Sequence, residues 1–300
     1  MKRKQKIIIV VGPTSSGKSN LAVLIAKKFN GEIISADSRQ VYKGMNLGTG
    51  KVTKKEMDGI PHHLLDIANP KHKYSVTQFK KHAQRAIIEI QTRGKIPILC
   101  GGTGFYIQVI IYNYILPIVK PNKILRKKLA KLSTTQLAIL LKKLDSRRAK
   151  EIDLHNPHRL IRAIEIATEL GKIPILKKST NSPYNALQIG IITDDTMLKK
   201  CIKTRLLTRI RRGMVAEAIH LHSQGVSWKR MKELGLEYKY LALFLQNKLL
   251  KTEMIEQLNT AIWRYAKRQK TWFKRDKNIK WFSVNEIKKI ESVVEKFLNP

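Results

Sequence analysis

Five consecutive aliphatic residues, Ile7, Ile8, Ile9, Val10 and Val11, precede a glycine-flanked turn, after which apolar positions recur at helical spacing to residue 29. An unbroken apolar run of this length suits a strand covered on both faces. The pattern predicts a strand over residues 6–11 and a helix over 17–29. Residues 31–37 (GEIISAD) read as a second strand that closes on an acid. Over 74–94, apolar residues at 76, 79, 83, 87 and 90 predict a helix. Residues 95–104 (KIPILCGGTG) read as another buried strand followed by a glycine turn. Buried strands alternating with amphipathic helices predict an α/β fold, a parallel sheet with helices on both faces.

The pattern changes near residue 119. From 123 to 180 every apolar period is helical, punctuated by Pro157 and Pro174; Pro183 then precedes LQIGIIT (187–193), which reads as a return to the sheet. A long helical stretch is expected over 195–223, a basic helix over 253–276, a short strand at IKWFSV (279–284) and a final helix. This divides the chain into a core of residues 1–118 and 185–300 and a helical insertion of 119–184. Neither an internal repeat nor a low-complexity linker interrupts it.

Composition adds a partner. The 300 residues are 43% hydrophobic, enough for a real core. Lys and Arg number 59 against 22 Asp and Glu, a net charge of +37 spread along the whole length. A long polyanion is the natural counterpart, nucleic acid first, although a lysine-rich background accounts for part of the excess. The two cysteines, Cys100 and Cys201, form no CxxC, which argues against a zinc ribbon or redox pair and suits a reducing compartment. The start MKRKQKIIIVVG faintly mimics a signal peptide, but its apolar run is short and flows into the turn. No apolar stretch approaches membrane-spanning length, so no membrane partner is expected.

That turn is the first candidate for chemistry. Gly12, Pro13, Thr14, Ser15, Ser16, Gly17, Lys18 and Ser19 fit the pattern GxxxxGK[ST] between a strand and a helix. Backbone N–H groups and a helix N-terminus offer partial positive charge to phosphate oxygens. Lys18 adds a full charge, and the Ser19 hydroxyl is the expected ligand of Mg²⁺. The motif specifies a bound diphosphate with magnesium without saying whose. Asp37 ends the second strand, where parallel strands face a ligand crevice. It suits either water-mediated magnesium binding or general base work. Gly44, Gly48 and Gly50 after it suggest a mobile loop able to close over substrate. At the third strand end, where a nucleotide hydrolase often carries a metal-binding acid, Thr103 offers a hydroxyl instead. The basic helix carries Arg264, Lys267, Arg268, Lys270, Lys274 and Arg275, interleaved with Trp263, Tyr265, Trp272 and Phe273. Such a pattern fits a nucleic-acid groove or a solvated basic face over an aromatic core equally well. The pairs His62–His63, His155/His158 and His220/His222 lack accompanying cysteines or acids at ligand spacing, which argues against zinc.

Together these stretches resemble the tRNA dimethylallyltransferase (tRNA isopentenyltransferase) family over nearly the whole chain. GPTSSGKS, ISADSRQVYKGMNLGTGK, PHHLLDI, GGTGFYIQ, NPHRLIRAIEI and YAKRQKTWF occur in the family's order. The resemblance implies a nucleotide-kinase-like P-loop fold whose loop holds the diphosphate of dimethylallyl diphosphate as a leaving group. It implies transfer of the dimethylallyl group to N6 of adenosine 37 in tRNAs that read codons starting with U. By the same resemblance Asp37 is the base, and Lys18, Thr103 and Arg205 act with magnesium at Ser19 on the departing diphosphate. Contacts to tRNA fall on Asp37, Ser38, Arg39, Gln40, Thr103, Arg126, His158, Arg159, Leu160, Ile161 and Arg162. Gln40 is expected to read a base edge, and Arg264, Lys267 and Arg268 to meet the anticodon stem.

Two departures stand out. Cys201 occupies the place of a family arginine four residues before Arg205, leaving Lys200 or Lys203 as substitutes, and LGLEYKY (234–240) replaces IGYKE. A C-terminal zinc finger of the eukaryotic type is missing, which implies a bacterial-type cytoplasmic enzyme; nothing demands more than a monomer. A free-nucleotide isopentenyltransferase, a small-molecule P-loop kinase and an RNA-binding ATPase each explain part of the pattern, but not the ordered set of motifs.

Overall fold

The computed structural model describes residues 4–176 and 182–299. Six strands are found among them: β1 (Gln5–Val11), β2 (Gly31–Ser35), β3 (His62–His63), β4 (Ile96–Gly101), β5 (Tyr184–Ile192) and β6 (Ile279–Ser283). They form one sheet in the order β3-β2-β4-β1-β5-β6, with every pairing parallel. Helix α1 (Lys18–Lys28) follows β1, α2 (Lys54–Met57) precedes β3, and α3 (Val76–Thr92) and α4 (Gly104–Ile111) flank β4. Next come α5 (Lys123–Leu129), α6 (Thr134–Leu144), α7 (Ser146–Glu151) and α8 (Pro157–Leu170). After β5 the chain continues through α9 (Asp195–Arg211), α10 (Met214–Ser223), α11 (Trp228–Glu233), α12 (Leu236–Leu245) and α13 (Lys251–Lys274), and ends with α14 (Ile287–Leu298) beyond β6.

The parallel α/β fold expected from the pattern is present. Ile7 to Val11 are all buried because both sheet faces are covered. Ile8 and Val10 pack with Leu21, Ile25, Ile290 and Val294 of α1 and α14. The intervening residues point to the other face, where α3 and α4 lie against β4. A second apolar cluster joins residues 41–45 to helices α9 to α13 through Met45, Leu206, Leu221, Tyr238 and Leu258.

The chain parts into two compact units: residues 1–113 with 181–300, and Tyr114–Thr180. The smaller holds α5 to α8 around Leu137, Leu141, Leu160 and Ile164. Residues 177–181, which the expected insertion included, lie outside the described residues. The return to the sheet begins at Tyr184, three residues earlier than its apolar run suggested.

Two local details go beyond the pattern. The helical stretch expected over 195–223 is two helices, because Gly213 takes a left-handed conformation (φ 98°) between Arg211 and Met214. Strand β3 has only two residues, too few to leave a period in the sequence.

At the N-terminal end of β2, Glu32 is buried under three basic groups: His63 Nε2 at 2.7 Å, Arg93 at 2.7 Å and Lys95 at 2.9 Å. Burial works to raise its carboxyl pKa, but the hydrogen bonds from Lys95, His63 and Arg93 win and hold it down to about 2. A carboxyl depressed on folding contributes stability above its unfolded pKa, near 4.5, and loses it as pH falls toward 2. At about 1.4 kcal/mol per unit, the contribution is on the order of 3 kcal/mol. Glu32→Gln is therefore expected to be less stable at pH 7, with the gap to the parent protein closing between pH 4.5 and 2. Urea midpoints across that range check it; a gap independent of pH would count against the assignment.

Candidate active site

The C-terminal ends of β1, β2 and β4 converge on a cavity of about 400 Å³ within the larger unit. Thr14 comes to it from the loop between β1 and α1, and Lys18 and Ser19 from the first turn of α1; Asp37, Ser38, Arg39 and Gln40 from the end of β2; Gly101 from β4. The helices add Arg205 and Arg209 from α9 and Tyr265, Arg268 and Gln269 from α13. Parallel strands place their loops at one edge, so residues far apart in sequence meet there.

Gly17 caps α1 in a left-handed conformation (φ 85°) and supplies no side-chain cap, which leaves the first N–H groups of the helix free for an anion. Lys18 Nζ donates to the Pro13 carbonyl at 3.1 Å and has no carboxylate within ion-pair distance among the described residues. Burial pushes its ammonium below the ordinary range, while Cys100 and Asp37 oppose the shift and Arg205 reinforces it. A desolvated cation without a counter-ion is poised for an anionic ligand. Ser16 is buried, and its Oγ takes no hydrogen bond among the described residues.

Asp37 is fixed by its own turn. Its Oδ1 accepts from the N–H of Arg39 at 2.8 Å and of Gln40 at 3.3 Å, while Oδ2 takes no bond among the described residues. Thr103, at the start of α4, holds that turn: its Oγ1 accepts from Ser38 N–H at 3.1 Å, and its own N–H donates to the Ala36 carbonyl at 3.2 Å. Gly101 permits this approach, since a Cβ there would lie 2.3 Å from Ala36 O. Thr103 thus positions the acid, a task the sequence reading had not given it.

The glycine-bearing loop is stapled rather than free. Glu217 Oε2 accepts from the N–H of Asn46 (2.8 Å) and Leu47 (2.7 Å), and its Oε1 from Gly48 N–H (2.8 Å) and the Tyr238 hydroxyl (2.6 Å). Arg209 donates to the carbonyls of Leu47 and Gly48, each at 3.1 Å. A Cβ on Gly48 would lie 2.4 Å from the Tyr238 ring. The expectation of a mobile loop is corrected: the N–H groups of residues 46–48 are taken by Glu217 of α10, and the carbonyls of Leu47 and Gly48 by Arg209 of α9. Tyr238 belongs to the LGLEYKY variant, whose Gly235, Leu236 and Glu237 also line the cavity.

Arg205 lies one turn before Arg209, with one nitrogen 3.5 Å from Ser15 Oγ and another 3.2 Å from where a Gly50 Cβ would stand. Desolvation and Arg209 lower its pKa, which leaves a guanidinium still charged at neutral pH. Cys201 is one turn further back and half-buried. Lys200 and Lys203, the substitutes expected for it, are exposed and do not line the cavity.

Several expected contacts are placed differently. The Gln40 carboxamide is engaged at both ends, accepting from Ser35 Oγ and donating to Gly50 O, each at 3.3 Å, so it braces the loop rather than presenting an idle edge. In the smaller unit, Leu160 is fully buried in the core and has no side chain to offer RNA, and Ile161 is half-buried against that core. Arg126 grips the buried carboxylate of Glu165 with both Nε (2.9 Å) and a terminal nitrogen (2.7 Å). Arg162 pairs with the same carboxylate and donates to Val119 O at 3.0 Å. Both guanidiniums remain about one-third exposed. His158 and Arg159 are exposed at the start of α8. On α13, Arg264, Lys267 and Arg268 are exposed. Trp272 lies against Gly104 and Phe273 is buried, so those two aromatics pack rather than offer stacking platforms.

Sequence reasoning missed Gln269. This residue of α13 is buried; its Oε1 accepts from Thr14 N–H at 2.8 Å and its Nε2 donates to Gly102 O at 2.9 Å. The signal was a lone amide on the apolar face defined by Ile262, Ala266 and Phe273.

A family model described as IPP transferase matches residues 40–276. The chain is 42% identical over 272 residues to tRNA dimethylallyltransferase 2 of Trichlorobacter lovleyi, covering 90% of this chain and 88% of that protein. It is 41% identical over 298 residues to tRNA dimethylallyltransferase of Thermoanaerobacter sp. (strain X514), covering 96% and 95%. Among solved structures, the full-length tRNA isopentenylpyrophosphate transferase of Bacillus halodurans superposes with a TM-score of 0.75 at 35% identity, over 98% of this chain and 97% of that one. A eukaryotic dimethylallyltransferase acting on tRNA shares the fold, with a TM-score of 0.81 at 24% identity over 98% and 79%.

Proposed function

Since the chain belongs to the IPP transferase family, whose relatives here are tRNA dimethylallyltransferases, we propose that it transfers a dimethylallyl group from dimethylallyl diphosphate to tRNA. The acceptor in this reading is N6 of adenosine 37, in the anticodon loop of tRNAs for codons starting with U. One observation supports it above the others: a phosphate-type loop and a carboxylate held by its own turn line one cavity, while the chain just after β4 brings a hydroxyl rather than a second acid.

The N6 amine of adenine is a weak nucleophile because its lone pair is delocalised into the ring. Asp37 accepts a proton from that amine as the nitrogen bonds to the allylic carbon. The carbon–oxygen bond to diphosphate breaks, and its electron pair leaves with the diphosphate. Lys18, the free N–H groups at the start of α1 and Arg205 stabilise the growing negative charge. Thr103 keeps Asp37 in place through Ser38. The reacting base must leave its stack to reach such a cavity.

Mg²⁺ fits this site as a diphosphate-bound ion. Ser19 and Asp37 line the cavity, and no group of three or more acids, histidines or cysteines forms a metal cage among the described residues. Ser19 would hold the ion together with substrate oxygens and water, as suits a hard cation that dehydrates reluctantly. The ion would supply charge neutralisation for the leaving group.

Arg264, Lys267 and Arg268 on α13, and His158 and Arg159 on α8, are the solvent-facing groups for the RNA backbone in this reading. The protein would act as a monomer in the cytoplasm; no described helix is long and apolar enough to cross a membrane. The donor chemistry has a direct readout. With dimethylallyl diphosphate and an anticodon stem-loop, inorganic diphosphate should appear mole for mole with modified RNA, and RNA affinity should fall steeply with salt. Orthophosphate released from ATP, with no diphosphate formed, would overturn the reading.

A further inference from the structure

We propose that Gln269 is a positioning residue for the transfer reaction: its carboxamide sets the phosphate loop at a fixed distance from the turn that carries Thr103, and so fixes the leaving group relative to Asp37. This rests on the reading of the cavity as a dimethylallyl diphosphate site.

Gln269 is 6% exposed and sits on the apolar face of α13 between Ala266 and Phe273. A polar group in such a place is tolerated only when its hydrogen bonds are made. Both are made, and each goes to a different catalytic loop: Oε1 accepts from Thr14 N–H at 2.8 Å, and Nε2 donates to Gly102 O at 2.9 Å. The two loops leave the paired strands β1 and β4 just beyond Val11 and Gly101, and the amide bridges them past the end of that pairing. Gly102 is cut to fit the amide, since a Cβ there would lie 2.2 Å from Nε2. From Gly102 the chain runs to Thr103, whose hydroxyl anchors Ser38 beside Asp37. A continuous path of short bonds thus joins the phosphate loop to the acid through one side chain.

Gln269 touches neither reacting group in this scheme. Its loss should let the two loops drift, and small misplacements of reacting groups cost about 10²-fold in rate. The next residues out on the same helix, Lys267 and Arg268, face solvent. RNA binding on that surface should therefore survive the change.

The test compares Gln269→Met, which keeps length and volume but makes neither bond, with Gln269→Glu, which keeps the acceptor for Thr14 and places a carboxylate oxygen against the Gly102 carbonyl. Both are assayed with the parent protein on an anticodon stem-loop and magnesium dimethylallyl diphosphate. Gln269→Met is expected to lower kcat by about 10- to 100-fold and to raise KM for the diphosphate, while the KM for RNA stays within about threefold. It should also lose the rise in melting temperature that inorganic diphosphate gives the parent. Unchanged kinetic constants in a folded Gln269→Met, or a fall in activity that only tracks the folded fraction, overturn the proposal. If Gln269→Met does not fold, the diphosphate-induced shift in Gln269→Glu decides by the same criterion; failure of both to fold makes the residue purely structural and overturns it too. If the parent itself transfers nothing, the reading of the cavity has failed instead.

Discussion

Asp37→Asn should lower the rate of dimethylallyl transfer by about 10²- to 10⁴-fold and leave RNA binding within a few-fold of the parent. The substitution is nearly isosteric. An asparagine oxygen can still accept from the N–H groups of Arg39 and Gln40, which Asp37 Oδ1 receives at 2.8 and 3.3 Å. Ser38 stays on Thr103, so the turn keeps its shape. What disappears is the basic oxygen, because an amide does not take a proton from an amine at neutral pH. Single-turnover rates with the protein in excess over RNA and the donor saturating separate this loss from binding, and a filter-binding titration gives the affinity. Near-normal turnover would remove Asp37 from the role of base. Loss of RNA binding in parallel would make it a recognition residue.

Arg205→Ala should slow turnover by about 10²- to 10³-fold, the scale on which a single preorganised donor to a developing anion acts, while RNA affinity changes by no more than about threefold. Arg205 is 3.5 Å from Ser15 Oγ on the phosphate loop and abuts Gly50 on the stapled loop. Cys201 stands one turn before it, and Arg209, one turn after it, is taken up by the carbonyls of Leu47 and Gly48. Arg205→Lys should recover only part of the rate, since an ammonium cannot present two parallel donors to a phosphate. The comparison needs kcat and the KM values for donor and RNA separately. Equal losses in turnover and RNA binding would point to a structural role for the side chain in holding α9.

Much of this arrangement was legible in the sequence because its signals are local. Ile7 to Val11 followed by GPTSSGKS announces strand, loop and helix within a dozen residues, and GEIISAD places Asp37 at a strand end. The parallel sheet follows from such runs recurring between helical periods. Signals fail where structure is made by distant partners. The loop through Gly48 has the composition of a flexible segment, yet Glu217 and Arg209, more than 160 residues away, fill its hydrogen bonds. Arg126 and Arg162 look like free cations until Glu165 is seen buried beneath both. The lone acid in the apolar run AIEIA was the available sign, because a buried carboxylate demands cations. Gln269 was hidden the opposite way, inside a motif so rich in charge that its one inward amide drew no notice. The break at Gly213 was local but weak, a single glycine within otherwise continuous helical spacing.

The most direct measurement is the mass of an anticodon stem-loop bearing adenosines at positions 36, 37 and 38 after incubation with the protein, Mg²⁺ and dimethylallyl diphosphate. The expected result is a gain of one dimethylallyl group, abolished when adenosine 37 is replaced by guanosine. An unmodified RNA beside a modified AMP in a parallel reaction, or no transfer at all with ATP consumed, would contradict it.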